Sequence, residues 1–147
     1  MKKINHGIIS LILAAISIGT GLYVIITVSL TYAIIYIAGT FLLFDLVIYA
    51  YCTKCPSRNC CGHILPGKLT KYFPKRKDGP YTFLDYMGVI IPIIFIFIFP
   101  QFWLWKNYFL FVVFWLSLLV AVFEINKFVC PPCLNTKCAF CRNKIPI

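Results

Sequence analysis

The residues able to do chemistry fall in two short stretches with one spacing. Cys52, Cys55, Cys60 and His63 form a C-x2-C-x4-C-x2-H run, and Cys130, Cys133, Cys138 and Cys141 repeat it 78 residues later with cysteine in fourth place. Of the eight cysteines only Cys61 stands outside this register, where it competes with His63 as fourth ligand of the first set. A C-x2-C unit turns two thiolates onto one ion, and two such units fill a tetrahedral shell. Soft sulfur, alone or with one imidazole, suits zinc or an iron–sulfur cluster, so the pattern predicts two metal sites. The C-x4-C step matches neither the bacterial nor the plant-type ferredoxin order, and the choice between the two metals stays open.

Elements that would position these sets must come from a very apolar chain. Hydrophobic residues make up 61% of the sequence and charged residues 12%, against about 45–50% and about 25% in soluble domains. No charge occurs from Gly7 to Phe44. As one helix that run would be roughly 57 Å long, while the hydrocarbon core of a bilayer is about 30 Å thick, so it has to cross twice. A turn is expected between Thr27 and Thr31. Met87 to Phe123 is broken only by Lys106, set among Gln101, Trp103, Trp105, Asn107 and Tyr108, residues typical of a membrane interface. This predicts a second hairpin and an all-α membrane protein of four transmembrane helices. The apolar run after Met1 extends far beyond a signal-peptide core and meets no clear cleavage site, so it is expected to remain as a span.

The net charge of +10 follows the membrane pattern and argues against nucleic acid as partner. Lys2 and Lys3 precede the first span, seven basic residues separate the second from the third, and Lys127, Lys137, Arg142 and Lys144 follow the fourth. Both opposite turns together hold only Lys106. The expected topology has both termini cytoplasmic in the inner (plasma) membrane, with both cysteine sets in a reducing compartment where clustered thiols bind metal more often than they form disulfides. Within the basic loop, Lys68, Lys71, Lys75, Arg76 and Lys77 interleave with Leu65, Leu69, Tyr72 and Phe73, a composition suited to lying on anionic lipid. Gly67-Lys68-Leu69-Thr70 resembles half of a phosphate-binding loop, but the preceding strand that the full motif needs is not supported here.

Two acids lie near the ends of spans. Asp45 is seven residues before Cys52 and Glu124 six before Cys130. A carboxylate at that depth is costly and marks a candidate proton or polar site. His6 is expected at the interface. Gly7, Ser10, Ala14, Ser17 and Gly21 form a small-residue stripe for helix packing. Pro92 is expected to kink the third span, whose run from Ile90 to Phe99 reads as lipid-facing.

The repeat reaches beyond the cysteines, because a turn near Ser29 shifted by 78 falls on Asn107. The chain therefore divides into a first hairpin with its cluster (1–63), a basic interfacial loop (64–82) and a second hairpin with its cluster (83–147), related by an approximate twofold axis along the membrane normal. Three functions fit. One is iron–sulfur electron transfer between a soluble redox partner protein and a quinone held between helices. Another is a structural zinc-binding scaffold, or a subunit of a larger membrane complex. The third is a thiol–disulfide oxidoreductase, since four spans with redox cysteines resemble the quinone-linked thiol oxidases, although those place their thiols on the outer face. Palmitoyltransferases share a cysteine-rich loop between spans two and three, but this chain lacks their Asp-His-His-Cys.

Overall fold

The structure is a computed structural model that describes residues 3–56, 64–77 and 80–131. Its elements are α1 (Lys3–Val28), α2 (Leu30–Ala50), α3 (Ile64–Leu69), α4 (Phe83–Ile98), α5 (Gln101–Leu104) and α6 (Tyr108–Glu124). All regular structure among the described residues is helical. Four stretches, Ile4–Val28, Leu30–Lys54, Phe83–Leu104 and Tyr108–Val129, are long and apolar enough to cross a bilayer, consistent with an integral membrane protein.

Local chemistry sets the breaks between helices. α1 and α2 are separated by Ser29 alone, which adopts an extended conformation (φ −160°, ψ 125°). At the second turn Asn107 is extended, and its side-chain oxygen accepts from the Leu110 amide at 3.2 Å. Ser29 and Asn107 are 78 positions apart, the cysteine offset. Thr82 caps α4 in a reciprocal box with Asp85, which satisfies amides that the first helical turn leaves unpaired.

Packing pairs α1 with α6 and α2 with α4, and α1 also lies against α2. The small-residue stripe of α1 carries the first of these contacts. Gly7, Ser10, Ser17 and Gly21 are buried, and the Ser17 hydroxyl meets that of Ser117 at 2.7 Å. Added methyl groups would not fit at the closest approaches. A Cβ on Gly88 would lie 2.6 Å from Ala50 Cβ, and one on Gly21 would lie 3.0 Å from Pro100 Cβ.

The third span differs from expectation in its second half. α4 continues through Pro92, and the run from Ile90 to Phe99 has two faces, with Ile96 buried on the inner one. Ile90, Ile91, Ile93, Ile94 and Ile98 are exposed, while Phe95, Phe97 and Phe99 turn partly inward. Phe95 and Phe99 build an aromatic stack with Tyr36 and Trp103, with the Tyr36 and Phe99 rings 5.9 Å apart and nearly parallel. Tyr36 is buried because it has a specific acceptor. Pro100 has no N–H to give the carbonyl of Ile96 four residues earlier, and the Tyr36 hydroxyl donates to that carbonyl at 2.9 Å.

Candidate metal centre and its anchored necks

α2 and α6 run in the same sense, so Cys52 and Cys130 emerge at one end of the bundle, opposite the Ser29 and Asn107 turns. The two chain exits differ. After α2, residues Cys52–Lys54 form one 3-10 turn, closed by the Cys55 amide donating to the Cys52 carbonyl at 3.2 Å. The turn brings the backbones of Cys52 and Cys55 together, with Cys55 leaving it in an extended conformation (φ −75°, ψ 123°). After α6, Ile125–Val129 widen into a π turn, and the Cys130 amide reaches the Ile125 carbonyl at 2.8 Å. Cys130 is buried, and Cys52 and Cys55 are half-buried.

Cys60, Cys61, His63, Cys133, Cys138 and Cys141 lie outside the described residues. Among the described residues, no three histidine, cysteine or acidic side chains converge as metal ligands do. The structure thus places one C-x2-C pair and the first cysteine of the other.

The first neck is clamped by charge. Lys54, between Cys52 and Cys55, donates to Asp85 Oδ2 at 2.5 Å. Arg76 Nη1 donates to Asp85 Oδ1 at 2.9 Å and to the Ala50 carbonyl at 3.4 Å, with its guanidinium over the Tyr49 ring. The backbone N–H and hydroxyl of Thr82 complete the shell around a carboxylate that is only 2% exposed. Alongside, Tyr51 stacks on Tyr81 at 4.1 Å. Four donors offset the desolvation of that acid, which would otherwise be prohibitive. Asp85 was expected only as the start of the third span. Its signal was the Thr82-x-x-Asp85 box before an apolar run.

The second neck is held by Glu124. Its Oε2 lies 2.6 Å from Nδ1 of His6, and the His6 ring stacks on Phe128 at 4.1 Å with an interplanar angle of 11°. His6 is thus a packed partner of the fourth span. Asp45, the other acid singled out by sequence, is exposed on the outer face of α2, with no hydrogen bond or ion pair among the described residues.

In the basic loop, Lys68, Lys71, Lys75 and Lys77 are exposed together with Leu65 and Tyr72, whereas Arg76 is drawn inward to Asp85. Comparison with family models, with curated proteins and with solved structures finds no match to this chain.

Proposed function

We propose that the chain is a membrane protein with two thiolate metal centres on its cytoplasmic face that carry electrons to or from the membrane. The observation that carries this reading is the presentation of Cys52 and Cys55 on one anchored turn, at the same end of the bundle as Cys130 and at the offset that the cysteine register shares with the helix turns. The pairing of α1 with α6 and of α2 with α4 also fits two hairpins exchanged by a twofold axis. Cytoplasmic exposure is supported by the basic residues at the cysteine end, against Lys106 alone at the turn end.

Cys52, Cys55, Cys60 and His63, with Cys61 as the competing ligand, would hold one group, and Cys130, Cys133, Cys138 and Cys141 the other. An iron–sulfur cluster bound there supplies one-electron exchange. The protein fixes the chelating turn through Lys54, holds cationic charge beside it, and places the Glu124–His6 pair on the chain leading to Cys130. Lys68, Lys71, Lys75 and Lys77 would rest on anionic headgroups, while a quinone on the membrane side and a soluble redox protein on the cytoplasmic side would be the electron partners.

One observation favours a second reading. Lys54 and Arg76 hold the neck firmly, as a structural zinc cap on a scaffold or complex subunit would need, and His63 suits zinc. Protein purified without air distinguishes the two. Electron transfer predicts iron with acid-labile sulfide and a reducible absorption band, and Cys130→Ser should remove part of that band while far-ultraviolet circular dichroism stays unchanged. Colourless protein carrying zinc would overturn the redox reading.

A further inference from the structure

The outer face of α2 carries an acid, and the turn that continues α6 carries a base, with no ion-pair partner for either among the described residues. Asp45 is exposed on α2. Its counterpart at the 78-residue offset is Phe123 on α6. Lys127, one turn beyond Phe123, folds back so that its ammonium lies 5.1 Å from the Phe123 ring centroid and 5.7 Å from that of Phe128. The fold-back follows from helix geometry, since side chains lean toward the helix N-terminus, here into the membrane. The ammonium is thereby drawn toward Phe123, the register counterpart of Asp45, held by aromatic rings and with no ion-pair partner among the described residues.

Glu124 shows what an acid at this level requires. It is next to Phe123 in sequence and close to Asp45 in depth, yet it is covered by His6 from within the bundle. Asp45 has no such cover among the described residues. Asp45 stands five residues inside the end of α2, about 7.5 Å along the axis, too deep for so short a side chain to reach water freely. Arg76 lies over the Tyr49 ring and is committed to Asp85.

We infer that α2 of one copy docks against α6 of a second copy, with Asp45 of the first meeting Lys127 of the second. The inference rests on α2 and α6 as membrane spans and is independent of what the cysteines bind. The two faces are matched along their length. Ala38, Phe41, Leu42 and Asp45 are exposed on α2, and at the same offset Leu116, Leu119, Val120 and Phe123 are exposed on α6. Small Ala38 leaves room for a large side chain opposite, as close helix packing in lipid requires. Both helices run in the same sense, so two copies sharing one membrane orientation bring these faces together in parallel. The contact joins different faces, so it is head-to-tail and propagates to a ring or a row.

The test uses two differently tagged full-length copies expressed together, with co-purification from mild detergent as the readout. Asp45→Lys alone and Lys127→Asp alone should each reduce self-association about threefold to tenfold, the range expected of one polar contact between spans. Asp45→Lys expressed with Lys127→Asp should restore it, because each mutated face then meets its complement. The milder Asp45→Asn, which inserts without a new charge, should show a partial loss. Unchanged association in the single variants would overturn the inference. Loss without recovery in the mixed pair would also overturn it, by assigning Asp45 to a different polypeptide.

Discussion

Lys54 and Glu124 both stand where a span gives way to a C-x2-C pair, yet their partners differ. Lys54 ends on the Asp85 carboxylate, which also takes Arg76 and both donors of Thr82, whereas Glu124 meets the single imidazole of His6. In each case the partner comes from the first span of the opposite hairpin, α4 for the first neck and α1 for the second. The sign is reversed, with the acid on α4 in one and on α6 in the other. Stacked rings back both contacts at the same centroid distance of 4.1 Å. Each chain exit toward a cysteine stretch is therefore anchored by the other half of the molecule, so that neither hairpin fixes its own exit alone. The first neck is a buried, many-donor charge site, and the second is one contact supported by packing.

The largest effect should come from Asp85→Ala. It leaves Lys54 and Arg76 without their counter-charge and should cost about 3–5 kcal/mol, the range for breaking a buried ion pair from one side. Thermal unfolding in detergent reads it, and retention of wild-type stability would break the comparison. At the second neck His6→Ala removes one bond to a charged acceptor and should cost about 1.5–3 kcal/mol. A loss as large as that of Asp85→Ala would show that the necks are equally anchored. Tyr36→Phe, far from either neck, leaves the buried Ile96 carbonyl unpaired and should cost about 1–3 kcal/mol. Smallest of all, Lys71→Gln should change stability by less than about 0.5 kcal/mol, as exposed substitutions do. It should instead weaken flotation of a vesicle-bound loop peptide on anionic lipid, which sharpens the contrast between the exposed lysines and inward-facing Arg76.

Much of the scaffold was legible because bilayer thickness is a hard constraint. The charge-free run from Gly7 to Phe44 had to be broken, and Ser29 breaks it. The stripe from Gly7 to Gly21 showed its packing face because small residues have few other uses at that spacing in lipid. The necks were not legible. Lys54 and Asp85 are 31 positions apart and His6 and Glu124 are 118 apart, so neither pair leaves a local pattern. Arg76 looked like its lysine neighbours, and only the fold turns it inward. The phenylalanines after Ile90 were hidden for another reason, since in lipid the outside is as greasy as the inside and hydrophobicity cannot separate the two faces.

Metal stoichiometry in variants that disable one half at a time tests the two-centre account most directly. Wild-type protein purified without air should carry two centres, and Cys52→Ser or Cys130→Ser should each lose about half of the bound metal, as two independent four-ligand sets require. Wild-type protein without tightly bound metal, or a metal content that neither substitution changes, would contradict it.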